Sequence, residues 1–540
     1  MNTYSRLGLA CALMAFSGRS LHAQSYQDLY EFSCPTGCAP TDYGRLLQGS
    51  DGNLYGTTTL GGTNNLGTIF RVNTLGTVYT AVWEFDGTNS GSYPDGGLIS
   101  ASYDSNFYGT TTAGGSTGGG TLFRLDPSTS TVTVVHSFTI SEGAPVVPPT
   151  EAKDYNLYGT TDTGSTYRYD VKHGTYQLLP NKAPAMSYSP LLSASDGNLY
   201  GVSEKGGKYH QGTIYRMSLA GAIHVVHSFN GADGDAPQSA LIQAKDGTFF
   251  GTTGGGGSSI WGTVFSFTLA PATLNTLWSF NGTDGALPIG GLVMGLDGSL
   301  YGTTLRGGIN GVGNIFEISS PESSPVFADL FDFADSGEVG VTGDRPYTGL
   351  KLDTNGTIYG LTGEGGAGGD GVFFSLSVPN PTFNITLCCN WWLILDQPVL
   401  VLGQGLTGAV AVNFGGVPAQ FSVGSDTYLT AAVPNTAIDG PITVTLATGL
   451  QLQSQQNAHI LPDVAGLDPP SGPSGTLVSI VGGGFAGTSS VTFDGMPAAD
   501  FMVISPALIQ AVVPAGAASG KVEVVTPNGK FKSPKSFIVN

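Results

Sequence analysis

Seven copies of one motif run along the first two-thirds of this 540-residue chain, and they constrain the fold more than any other feature. An aromatic residue followed by glycine recurs at Tyr55, Tyr108, Tyr158, Tyr200, Phe250, Tyr301 and Tyr359, at spacings of 53, 50, 42, 50, 51 and 58 residues. Self-similarity at such a period points to repeated supersecondary units that pack on one another. One copy reads Asp51-Gly-Asn-Leu-Tyr55-Gly-Thr-Thr, then Gly61-Gly62, then Gly67-Thr-Ile-Phe70-Arg, then Ala81-Val-Trp83-Glu-Phe85. Each element is a short alternating run bounded by turn residues. Leu241-Ile242, the turn Asp246-Gly247 and Phe249-Phe250 predict a hairpin, and Val264 to Phe267 and Thr276 to Phe280 predict two further strands. Four strands in about 50 residues are the signature of a β-propeller blade.

The ends of the repeat predict closure. The seventh copy has three strands and lacks the outer Val-x-His/Trp-Ser-Phe element, which stands alone at Asp28-Leu-Tyr30-Glu-Phe32 before the first copy. An N-terminal strand that completes the last blade removes the open edge of the ring. Composition agrees. Glycine fills 82 positions and charged residues make up 11% of the chain, which leaves few stretches able to form an exposed amphipathic helix. The net charge of −19 argues against a surface that tracks phosphates, so no nucleic-acid partner is expected.

The repeat resembles the GloVer tandem repeat of bacterial exported proteins over residues 25–378, carried by Leu-Tyr-Gly-Thr-Thr at 54–58, 157–161 and 300–304, the Gly-Gly pairs and the Gly-Thr-Ile-Phe elements. That resemblance implies no catalytic activity. Proteins of that kind usually carry a C-terminal surface anchor; none is recognisable here, so covalent attachment is not expected.

After residue 378 the pattern changes. Leu467-Asp-Pro-Pro-Ser-Gly-Pro-Ser-Gly475, Val478-Ser-Ile-Val481-Gly-Gly-Gly484-Phe485, Val491-Thr-Phe493-Asp-Gly495 and Ala511-Val-Val-Pro514 resemble an IPT/TIG domain, which implies an immunoglobulin-like sandwich used as a spacer or binding module. A second, divergent copy spans 379–462, with Val412-Asn-Phe414-Gly-Gly416, Ala431-Ala-Val-Pro434 and Ile442-Thr-Val-Thr-Leu446. Where a Pro-Ser-Gly opening is expected it has Leu387-Cys-Cys-Asn-Trp391-Trp392, either a local reading-frame error or a divergent first strand. The expected fold is all-β: a seven-bladed β-propeller over 24–378, followed by two immunoglobulin-like (IPT/TIG) β-sandwich domains over 379–462 and 463–540.

Residues 1–23 read as a signal peptide, with Arg6, an apolar run from Leu7 to Phe16 and a cleavage site after Ala23. A lipoprotein signal acylated at Cys11 is the rival reading, with a poor lipobox in Gly8-Leu9-Ala10. No later run is long and apolar enough to span a membrane. A secreted, extracellular, periplasmic or outer-surface location follows, with a monomeric state expected. Outside the cytosol, Cys34 and Cys38 are expected to form a disulfide, whereas the adjacent Cys388 and Cys389 cannot readily bond each other.

Several sequence matches to catalytic motifs fail on context. Gly114-Gly-Ser116-Thr-Gly118 fits a nucleophile elbow literally but falls between two strands, and the Gly-x-Gly-x-x-Gly matches have no following helix. His136 and His227 share their repeat position with Trp83, Trp278 and Phe331, so a flat side chain packed in the outer strand is the simpler account. A copper-radical oxidase needs a cysteine cross-linked to tyrosine and two histidines, and this propeller has only the Cys34/Cys38 pair.

Departures from the repeat carry the functional reading. With strands a to d running from the centre outward, the b–c and d–a loops share one face. The b–c loops hold Asn64, Asn65, Lys208, Tyr209, His210, Trp261 and Asn310, and exposed aromatics among glycines suit stacking on a sugar or another flat ligand. The d–a loops add Asp42, Asp86, Asp95, Glu142, Asp233, Asp235, Asp284, Asp335, Glu338 and Asp344. Turn chemistry accounts for most of these acids; Asp233 and Asp235 are the candidates for a calcium ion, the only cofactor considered. The expected function is a non-catalytic exported binding or scaffold protein whose partner is an extracellular glycan or envelope protein. The alternative is a secreted carbohydrate-active enzyme that uses a carboxylate pair on the same face.

Overall fold

The computed structural model describes residues 25–540 except 41–43, 50, 186, 245, 296–297, 335–341, 353–356, 379–384, 388–390, 404–405 and 425–427. The expected signal peptide with Cys11, the acids Asp42, Asp335 and Glu338, and the pair Cys388 and Cys389 lie outside the described residues.

Seven antiparallel sheets follow one another along residues 26–377, each built in the order a-b-c-d. Blade 5 is representative, with strands Ile242–Gln243, Phe249–Thr253, Thr263–Leu269 and Ala272–Ser279. The Tyr-Gly motif lies on strand b. Its glycine is required by a close approach: a Cβ at Gly251 would stand 2.7 Å from the Phe265 ring on strand c, and one at Gly56 would stand 2.5 Å from Phe70. The aromatic beside the glycine fixes the a–b turn. Tyr55, Tyr108, Tyr158 and Tyr200 donate to Asp51, Asp104, Asp154 and Asp196 at 2.8–2.9 Å. The same carboxylates accept from the backbone of Asn53, Asn106, Asn156 and Asn198, so the Asp-x-Asn-x-Tyr spelling is one hydrogen-bonded turn. Blade 3 lacks the Gly-Gly loop and joins strands b and c through the short turn at 161–165, which accounts for the 42-residue spacing.

Outer strands carry a bulge. In blade 5 Val264 pairs with Trp278 and Phe265 with Thr276, leaving Leu277 as the extra residue. Bulging lets consecutive residues Leu277 and Trp278 both reach the inter-blade core. Seven hydrophobic clusters fill the ring, each shared by two neighbouring blades. Ring closure is as expected: Tyr26–Glu31 pairs antiparallel with Val372–Ser377 as the outer strand of blade 7. Phe32, Phe70 and Phe373 then share a core across the first and last blades.

Two sandwiches follow. The first packs Thr386–Leu387, Pro398–Leu402, Tyr428–Ala432 and Phe421–Val423 against a five-stranded sheet that begins with Trp392–Leu393. The second repeats this strand order, with Ser471–Gly472 in the place of Trp392–Leu393. Each of these short strands pairs parallel with the last strand of its own domain. Trp392–Leu393 therefore holds the place in the first sandwich that Ser471–Gly472 holds in the second. Among the described residues no helix is long and apolar enough to cross a membrane.

Candidate functional site

Two places in the ring depart from repeat chemistry. The first is the face bearing the b–c and d–a loops. Every Gly-Gly b–c loop turns through a residue with positive φ at its fifth position, which is Asn65, Gly118, His210, Ile260, Gly311 or Gly369. Asparagine and glycine suit the left-handed region; a β-branched isoleucine is an outlier there. Ile260, at φ 64°, is 74% exposed. Trp261 beside it is 43% exposed, with its ring over Gly282. On the flanking blades Tyr209 is 47% exposed and Ile309 84%. Lys208 Nζ lies 5.0 Å from the centre of the Tyr209 ring, a cation–π contact. His210 is exposed. The asparagines of the other loops are exposed but held by hydrogen bonds. Asn64 donates to the Phe85 carbonyl at 3.3 Å, Asn310 to the Phe333 carbonyl at 2.8 Å, and Asn65 accepts from Gly61 N–H at 2.9 Å. Of the expected site residues, the structure leaves the blade 4 and blade 5 side chains projecting and ties the asparagines into their own loops.

Acids of the d–a loops are also engaged. Asp233 accepts from Asn230 N–H at 2.9 Å and from His227 Nε2 at 3.0 Å, and Asp284 accepts from Asn281 N–H at 2.8 Å and from Trp278 Nε1 at 3.2 Å. Burial works against ionisation of Asp86, but hydrogen bonds from Asn89 and Ser90 outweigh it and pull this carboxyl down to about 2. Asp235 pairs through its backbone with Gly255. Among the described residues neither Asp233 nor Asp235 belongs to a group of three ligand atoms close enough to share an ion; the group that does gather is Cys34, Cys38 and Asp370. Its two sulfurs are bonded to each other as the expected disulfide.

The second place is the axis of the ring, which sequence reasoning missed. A cavity of about 450 Å³ lies between the inner strands of blades 1 to 5 and the first sandwich. Leu47, Ile99 and Leu192 line it from the propeller; Trp391, Trp392 and Asn457 close it. Trp392 stacks on His459 at 4.5 Å, Lys153 Nζ lies 5.2 Å from its ring centre, and Tyr155 donates to its carbonyl. The signal was present in the sequence as the departure from the Pro-Ser-Gly opening, and its physical basis is that Trp392 packs on the propeller while Trp391 packs on the core of the sandwich.

Fold and faces together define the class: a ring-closed, seven-bladed propeller carrying two immunoglobulin-like sandwiches in tandem. The chain belongs to the Gloeobacter/Verrucomicrobia repeat family, whose model matches residues 18–181 and 187–391. The IPT/TIG domain model matches residues 462–538; the first sandwich lies outside that match and shares its strand order. No curated protein matches the chain. Similar solved structures include virginiamycin B lyase from Staphylococcus aureus, 15% identical over 66% of this chain and 100% of that one, with a TM-score of 0.45. A fungal alcohol oxidase of the AA5 family in complex with copper is 14% identical over 79% and 97%, with a TM-score of 0.47. An oligogalacturonate lyase in complex with manganese is 13% identical over 66% and 96%, at 0.44.

Proposed function

We propose that this protein is an exported, non-catalytic binding protein whose propeller presents its b–c loops to an extracellular glycan or envelope protein, with the sandwiches as spacers. The observation that carries this reading is Ile260-Trp261. A β-branched side chain in the left-handed region costs about 1–3 kcal/mol, and here it also leaves an apolar surface in water. Strain and exposure at one residue are retained where the exposed group meets a partner. The loop is preorganised for that role, since Gly257 N–H and Ser258 N–H are held by Gly231 and Ser279. The enzyme reading ranks second because Asp86, Asp233 and Asp284 use both carboxylate oxygens within their own loops.

A glycan array probed with the mature chain, with and without a calcium chelator, tests the ligand class and any role for Asp233 and Asp235. On a hit, Trp261→Ala is expected to weaken capture at least tenfold. Ile260→Gly is expected to raise stability by about 1 kcal/mol while also weakening capture. Undiminished capture by both variants sinks the site. Steady turnover of a polysaccharide, lost on Asp235→Asn, would instead establish the enzyme.

A further inference from the structure

Arg45 is explained neither by the loop face nor by the packing of the ring. It precedes the inner strand of blade 1, Leu47–Gln48, and lines the axial cavity. Its side chain runs past blade 7 toward blade 6, and both blades have glycine where it passes. A Cβ on Gly349 would stand 2.8 Å from Arg45 Cγ and 2.9 Å from Nε, and one on Gly291 would stand 3.2 Å from a terminal nitrogen. Arg71, Arg345 and Lys532 have carboxylate partners, whereas Arg45 has none among the described residues. Burial pulls its guanidinium below the ordinary range. In a chain of net charge −19, a half-buried cation without a carboxylate partner is a costly arrangement that an incoming anion would relieve.

The rest of the cavity limits what that anion can be. Leu47, Ile99, Leu192 and Trp391 present apolar surface, and Glu151 adds one carboxyl to the lining, which burial keeps protonated up to about pH 7. At the sandwich end Asn457 Oδ1 is buried without a hydrogen-bond partner. An inner strand of about three residues, roughly 10 Å, separates the Arg45 level from that end. The volume of about 450 Å³ falls in the range of small-molecule sites.

We propose that the axial cavity binds a small organic carboxylate, with its anionic group paired to Arg45 and its apolar body between the inner strands and Trp391. A guanidinium can take a carboxylate in two parallel hydrogen bonds, and a hydroxyl at the far end of the ligand reaches Asn457. This site is separate from the loop face and does not depend on its function.

The test is titration of the mature full-length chain with hexanoate, phenylacetate and 4-hydroxyphenylacetate, and with phenethylamine as the cationic counterpart, read by tryptophan fluorescence and by calorimetry. Carboxylates are expected to bind, 4-hydroxyphenylacetate most tightly, and phenethylamine is not. Arg45→Met keeps the aliphatic stem and removes the charge; it is expected to weaken carboxylate binding at least tenfold with an unchanged or higher Tm. Should that variant fail to fold, Arg45→Lys, which keeps the charge and loses the fork, is expected to weaken binding several-fold. Absence of binding by all three carboxylates, equal affinity for phenethylamine, or undiminished binding by the folded variant each overturns the proposal.

Discussion

Glu151 and Gln243 hold the same place at the end of the inner strand in blades 3 and 5, and both latch onto the preceding blade. Ser102 N–H and Oγ donate to Glu151 at 3.0 and 2.6 Å, and Ser195 N–H donates to Gln243 Oε1 at 2.9 Å. Only the glutamate titrates. Burial pushes its carboxyl up to about 7; the Ser102 bonds pull the other way and Asp104 and Asp154 add to the rise. A carboxyl raised on folding stabilises the native state below its unfolded pKa, near 4.3, and that contribution is lost as pH rises through 7. Glu151→Gln copies the blade 5 latch without a charge. Urea unfolding should find the variant and the parent alike at pH 4.5, with the variant more stable by about 1–3 kcal/mol at pH 8; a difference that does not grow with pH would refute the assignment. Residue-scale logic was only half legible in the sequence. Aligned copies showed that His227 and Trp278 are interchangeable, and flatness explains part of that, since Trp278 stacks on Phe327 at 4.7 Å. Their shared ring N–H, which meets Asp233 and Asp284, could not be read because the acid lies on a loop whose path no pattern records.

At the scale of elements, the blade was readable because each of its parts solves one local problem and repeats the solution. Alternation marks the strands, Asp-x-Asn marks the turn, and glycine on strand b marks the ring laid over it from strand c. Gly251→Ala brings a methyl to 2.7 Å from Phe265 and 2.8 Å from Leu241, an overpacking expected to cost about 1–3 kcal/mol. Gly466→Ala is the control, because its added Cβ meets nothing within 4 Å. Calorimetry should show a lower Tm for the first variant and no loss for the second; equal behaviour would remove the steric account of the Tyr-Gly motif. What the repeat conceals is whatever breaks it once. Ile260 differs from its counterparts by a single residue whose cost lies in the backbone, and Arg45 by a single residue whose surroundings come from three blades. Neither leaves a period in the sequence.

Whole-molecule organisation follows from two closures. The N-terminal strand closes the ring on itself, and its place was predictable because the seventh copy visibly lacked a strand. The first sandwich closes the axis, and that was not predictable, because the plug combines Lys153 and Tyr155 of blade 3 with residues more than 200 positions later. Read alone, Trp391-Trp392 was only an anomaly. Its buried indole, held between His459 and Lys153, joins two domains that would otherwise meet through a linker. Such a contact couples their unfolding, since neither side can open without exposing the other's apolar surface. Trp392→Ala removes the stacked ring at a cost of about 3–5 kcal/mol and leaves the Tyr155 bond to its carbonyl in place. The parent is expected to melt with propeller and first sandwich in one transition. In the variant the two should separate into distinct transitions, the sandwich melting first because it loses the ring stacked on its last strand at His459. A variant that still melts as one unit, merely at lower temperature, would mean that the coupling runs through the backbone of Trp392–Leu393 and its partners His459–Ile460 rather than through the indole.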